Sequence, residues 1–211
     1  MLTYLFDTSA VVHNYVEGDK SIRKAVKHIL EQKTLHKKAS LFIPNICIAE
    51  VFNALARRRF NPKGDDQPLD HETYKRHLGK FRKHIHWGRT LYPYDVNRYH
   101  IVGVDNIIPV EHTLAREHRR DHLSAFDILV IAMACELAYI GKREDTFLVT
   151  CDKRMKQVVD EMRKPRASDG TVPGPLGELD KDRWIPPVCL DLRKLEAGEL
   201  KHVQGQHPFN P

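Results

Sequence analysis

The stretch "LTYLFDTSAVV", residues 2–12, decides the fold. Its first five residues are strand formers, the run stops at Asp7, and Thr8 or Ser9 can cap a helix that begins there. Strand gives way to helix at an acid, and the pattern recurs along the chain. "SLFIP" (40–44) reads as a strand, with Asn45 as cap of a helix over 46–59 whose buried stripe is Ile48, Val51, Phe52 and Leu55. "TFLVT" (146–150) is a strand, Met155, Val158, Val159 and Met162 mark the helix after it, and "VCLDL" (188–192) is a last strand. Such alternation implies an α/β fold with a central, mostly parallel sheet flanked by helices.

Between these units, Ile22, Ala25, Val26, Ile29 and Leu30 recur at helical spacing, with Lys20, Arg23, Lys24 and Lys27 on the outer face. The turn-rich "NPKGDDQPLD" (61–70) leads to a second stripe, Tyr74, Leu78, Phe81 and Ile85, surrounded by Lys75, Arg76, Lys80, Arg82 and Lys83. The segment from about 61 to 98 reads as a basic helical insertion. "YHIVGV" (99–104) is expected to be a strand and "VEHTLAREHRRD" (110–121) a helix. Prolines and glycines make 164–187 an extended loop, and 196–211 lacks periodicity and is expected to be a mobile tail. The organisation expected is one domain over 1–195.

A hydrophobic content of 41% is ordinary for a globular protein, and a net charge of +6 with a pI near 9.1 tilts it toward polyanionic partners. Cys47, Cys135, Cys151 and Cys189 are scattered without a C-x-x-C pair, which fits reduced, cytoplasmic thiols better than a zinc cluster or disulfide framework. The N-terminus has no basic start and reaches an aspartate by position 7, so it does not read as a signal peptide. The purest apolar run, Ile128 to Cys135, falls far short of the roughly 20 residues a membrane span requires.

In parallel sheets, ligands bind outside the carboxyl ends of the strands, near a switch in strand order. Asp7 follows the first strand immediately, and Asp152 comes two residues after Thr150 closes another. Glu50 lies in the second turn of its helix, about 160° from the apolar stripe at 100° per residue, on a face with Asn53 and Arg57. Asp127 lies in the first turn of "SAFDILVIAMA" (124–134), on a face with Val130, Ile131, Ala134 and Ala138, so its carboxylate is expected to project from an apolar surface. Each acid has a plainer alternative: Asp7 and Asp152 as helix caps, Asp127 with Ser124 as a capping box, Glu50 as a solvated surface group. Brought together, carboxylates repel by about 4 kcal/mol per pair at roughly 4 Å and an effective dielectric near 20. A hard divalent cation, Mg²⁺ or Mn²⁺, removes that cost and supports phosphodiester hydrolysis. Basic residues would then hold the phosphate backbone: Arg57, Arg76, Lys80, Arg82, Lys83 and Lys153 are candidates.

"LFDTSAVV" (5–12), "IAEVFNAL" (48–55), "LSAFDILVIAMA" (123–134) and "LVTCDKRM" (148–155) resemble, in order, the four motifs of PIN-domain ribonucleases, and most closely those of VapC-type toxins. The resemblance implies a PIN-like three-layer sandwich and endoribonuclease activity, with Asp7, Glu50, Asp127 and Asp152 as ligands of Mg²⁺ or Mn²⁺ and Ser9 and Thr150 in supporting roles. It implies as partners an RNA substrate, a second copy in a homodimer, and a cognate antitoxin. The chain is longer than the usual toxin, which leaves open an RNA-processing nuclease without an antitoxin, or a catalytically silent RNA-binding module. A phosphatase with Asp7 as nucleophile would want a second aspartate two residues on, where this chain has Ser9.

Overall fold

In the computed structural model the described residues are 1–16, 19–36, 39–62, 67–86, 90–141, 143–164 and 186–195. Most of the expected loop at 164–187, and all of the expected tail at 196–211, lie outside them. Five strands, β1 (Leu2–Phe6), β2 (Ala39–Pro44), β3 (Tyr92–Tyr94), β4 (Thr146–Thr150) and β5 (Val188–Asp191), form one sheet in the order β3-β2-β1-β4-β5. Every pairing is parallel; Thr3 stands opposite Ser40 on one side and Thr146 on the other. The order reverses between β1 and β4, which places the crevice at the carboxyl ends of those two strands.

Seven α-helices are described: α1 (Thr8–Val11), α2 (Lys20–His36), α3 (Asn45–Phe60), α4 (His71–Ile85), α5 (Arg98–Glu117), α6 (Ala125–Ile140) and α7 (Lys153–Arg163). Right-handed crossovers put α1 to α4 on one face of the sheet and α5 to α7 on the other. The packing agrees, with α1 on α3 and α3 on α4 in one group, and α5 on both α6 and α7 in the other. A sheet covered on both sides needs strands without polar alternation. All five residues of β4 are accordingly buried, and Tyr4 of β1 stacks on Phe147 of β4 at 5.1 Å between ring centroids.

Three elements differ from the sequence reading. "YHIVGV" is the start of α5, a 20-residue helix, although its aromatic and β-branched residues favour a strand. A capping box decides it: the Asn97 side chain accepts from the backbone N–H groups of Tyr99 and His100, and His100 Nδ1 accepts from Asn97 N. The buried residues His100, Gly103, Ile107, Glu111 and Leu114 then recur at helical spacing. Second, the stretch read as an insertion contains a sheet strand, since Phe42 to Pro44 pair with Tyr92 to Tyr94. Its helix, α4, sends Phe81 into the core against Tyr15 and Phe52. Third, Pro44 rather than Asn45 occupies the cap position of α3, and the Asn45 side chain donates to Asp95. The four cysteines are buried free thiols.

Buried polar groups lock the second face. Glu136 of α6 accepts from Tyr94 of the edge strand and pairs with the buried His100 of α5, so one carboxylate ties β3, α5 and α6 together. No described helix is long and apolar enough to cross a membrane.

Candidate active site

β1 ends at Phe6, and Asp7 caps α1 by accepting from Ser9 N, so the cap is Asp7 and neither Thr8 nor Ser9. Parallel pairing continues one residue further, with Asp7 N donating to Val149 O at 2.9 Å. This buries Asp7 and brings the end of β4 alongside it. Its Oδ2 accepts from Ser9 Oγ and, at 3.0 Å, from Thr150 Oγ1. Ser9 Oγ also accepts from Cys151 N at 2.8 Å, and Thr150 Oγ1 from Asp152 N at 2.9 Å. The two hydroxyls therefore fix the turn from β4 into α7 as well as the carboxylate. All three bonds to Asp7 fall on Oδ2, which leaves Oδ1 as the oxygen available to a ligand. Burial, together with the charge of Asp127, pushes the Asp7 carboxyl up to about 6 against the pull of Ser9 and Thr150.

The other acids converge from three more elements. Asp127 sits in the first turn of α6 in a reciprocal capping box: Ser124 N donates to its Oδ2 at 2.9 Å, and Asp127 N donates to Ser124 Oγ. It is half-buried rather than sunk in an apolar surface, because α6 emerges from the core at this turn. Asp152 caps α7 and is gripped by Arg154, with Nη2 to Oδ2 at 2.6 Å and Nε to Oδ1 at 3.1 Å. Burial pushes the Asp152 carboxyl up, but the Arg154 side chain and backbone N–H hold it below its usual value. Glu50, exposed on α3, accepts from Thr8 Oγ1 across the gap to α1.

All four acids line one cleft of about 520 Å³, together with Thr8, Ser9, Asn53, Arg57 and Arg58. The donor set is entirely carboxylate, which fits Mg²⁺ or Mn²⁺ and not a thiolate- or imidazole-preferring ion. No three of these acids bring oxygens within 4.8 Å of one another, since each leans on its own partner. Of the basic residues singled out in the sequence, Arg57 lines the cleft and the others do not. Lys80 donates to Asn14 O and Oδ1 at 3.3 Å and lies over the Tyr15 ring; Arg82 lies over Phe52; Arg76 bonds Thr73. Lys83 and Lys153 are exposed. Arg58 and Arg154 were missed. Arg154 carried one signal, its place two residues after a capping aspartate in a first helical turn.

The fold is thus a parallel α/β sheet that gathers four carboxylates in one cleft at its switch point. The PIN domain family matches residues 4–161, and the chain belongs to it. PIN domains are generally nucleases. No curated protein sequence matches the chain. Among solved structures, the chain is similar to that of VapBC2 from Rickettsia felis bound to a DNA fragment from their promoter, with a TM-score of 0.43 and 14% identity over 72% of this chain and 88% of that one.

Proposed function

We propose that the protein is a Mg²⁺- or Mn²⁺-dependent endoribonuclease of the VapC type, the toxin of a toxin–antitoxin pair. The observation that carries the nuclease chemistry is the convergence of Asp7, Glu50, Asp127 and Asp152, from four separate elements, on one cleft flanked by Arg57 and Arg58. Those four carboxylates would hold the cation, which when bound supplies the positive charge that activates a water and stabilises the departing oxygen.

The chain's own residues do the rest. Ser9 and Thr150 fix Asp7 through Oδ2, so its free oxygen keeps one orientation. Ser124 does the same for Asp127. Arg57 and Arg58 offset the repulsion between the acids and an incoming phosphate backbone, and hold the strand along the cleft. A homodimer and an antitoxin with a basic segment complementary to the acidic cleft are the partners this reading carries, in the cytoplasm.

The test is incubation of single-stranded RNA and DNA of one sequence with the purified chain, with Mg²⁺ or Mn²⁺ and with EDTA, alongside Asp127→Asn. RNA cleavage that needs the cation and vanishes in the variant is expected. Equal cleavage by wild type and variant, or indifference to EDTA, sinks the mechanism. RNA binding without cleavage would point to a silent binding module.

A further inference from the structure

Three potential metal ligands meet outside the acidic cleft: Glu111 and His112 near the end of α5, and His122 in the segment leading to α6. One ligand atom from each lies within 4.8 Å of the other two, and none of the three residues lines the cleft. Glu111 is fully buried, whereas His112 and His122 are exposed. His122 Nδ1 lies 2.8 Å from Glu111 Oε2, and the two imidazoles stack at 4.4 Å between centroids with a 39° tilt. Arg120 Nη1 and Leu123 N, each at 3.0 Å, both donate to Oε1. Oε2 is therefore the oxygen left on the histidine side.

We propose that Glu111, His112 and His122 bind a divalent transition-metal ion of the zinc class, with solvent completing the coordination. Two imidazoles and one carboxylate suit zinc, whereas the all-carboxylate cleft suits magnesium. Bonds of about 2.0 to 2.1 Å in a tetrahedron put ligand atoms roughly 3.3 Å apart. The Oε2 and Nδ1 pair needs to open by about half an ångström, and the exposed His112 ring has the freedom to close the remaining gaps. The spacing 111, 112, 122 matches no zinc motif, so the site is visible only once α5 and the loop are folded together. Its location gives it reach: His122 O accepts from Arg154 Nη1, the guanidinium that grips Asp152, and Ser124, two residues on, caps the helix bearing Asp127. An ion held at His122 fixes the segment that joins two cleft acids.

The site is independent of the nuclease reading, and its test keeps the two apart. The untagged full-length chain, stripped with EDTA and dialysed, is titrated with Zn²⁺ against a chromophoric chelator and with Co²⁺ by visible absorption. A cleft variant, Asp7→Asn with Asp127→Asn, should keep one tight Zn²⁺ equivalent and the Co²⁺ spectrum. His112→Ala should weaken Zn²⁺ binding by about a hundredfold and abolish that spectrum, with near-ultraviolet circular dichroism unchanged because His112 is exposed; His122→Ala should do the same. Wild-type affinity in both histidine variants, or loss of all Zn²⁺ binding in the cleft variant alone, overturns the proposal.

Discussion

Replacing Asp7 by asparagine should stabilise the EDTA-treated chain at neutral pH, and the gain should fade in acid. Asp7 is buried, and burial first, with the charge of Asp127, lifts its carboxyl from 3.8 to about 6 despite two hydroxyl donors. A carboxyl whose value is higher folded than unfolded binds its proton more tightly in the folded chain. Ionising it therefore costs stability: little below pH 3.8, progressively more between 3.8 and 6, and the full amount above. Roughly two units at 1.36 kcal/mol each make that full cost about 3 kcal/mol. Asparagine keeps the size and one oxygen acceptor for Ser9 and Thr150 but cannot ionise. Urea unfolding of both chains in EDTA, from pH 4 to 8, measures the difference. The variant's advantage should widen by about 2 to 3 kcal/mol across that range, and saturating Mg²⁺ should narrow it by stabilising only the wild type. A difference that stays flat with pH would show that Asp7 carries no buried charge and would remove the electrostatic case for a cation in the cleft.

Arg154→Ala should lower the Mg²⁺ concentration that half-saturates cleavage, because the guanidinium competes with the cation for Asp152; a higher requirement would make Arg154 an aid to the metal instead. Phe81→Ala should cost about 3 to 5 kcal/mol in chemical unfolding, since that ring is fully buried between Tyr15 and Phe52, whereas Arg76→Glu on the same helix should leave the midpoint in place. In an Asp127→Asn background that binds without cutting, Arg57→Glu should weaken RNA binding and flatten the plot of log affinity against log salt by about 0.7 or more; an unchanged slope would place the phosphate path elsewhere.

The alternation of strand and helix was legible because each β-α step ends on a polar residue at a strand's carboxyl end. The basic outer face of α2 was legible for the same kind of reason: Ile22, Ala25, Val26, Ile29 and Leu30 are buried and Lys20, Arg23, Lys24 and Lys27 are exposed, as their spacing dictates. The start of α5 misled because propensity favours a strand at Tyr99 to Val104, while the deciding interactions are a cap at Asn97 and the pairing of His100 with Glu136, 36 residues away. The short strand at Tyr92–Tyr94 carries a proline and only three residues, so its pairing with β2 leaves almost no local trace. Of the site, the four acids could be placed from strand ends and helix starts. Arg154 and the Glu111 cluster could not, since both depend on how separate segments meet.

Asp127 shows why capping and cleft chemistry need not compete. α6 is buried along most of its length and reaches the surface at its two ends, the first turn lying at the sheet edge. A carboxylate at that turn satisfies the backbone N–H of Ser124 and at the same time lines the crevice with Asp7 and Asp152. The favourable interaction with the helix N-terminus is worth roughly 0.3 to 1 kcal/mol. Close repulsion from another carboxylate is several times larger, about 4 kcal/mol at 4 Å. The cap alone therefore cannot hold the acids together, and the structure shows how the conflict is met. Thr8 takes Glu50, Arg154 takes Asp152, and Ser124 takes Asp127, while Asp7 has its proton affinity raised. On the proposed reading, a divalent cation in the cleft would compete with Thr8 for Glu50 and with Arg154 for Asp152, while Ser124 keeps Asp127 oriented. Arg154, the strongest of them and the one tied to His122, is then the residue whose release most directly sets how readily the exchange occurs.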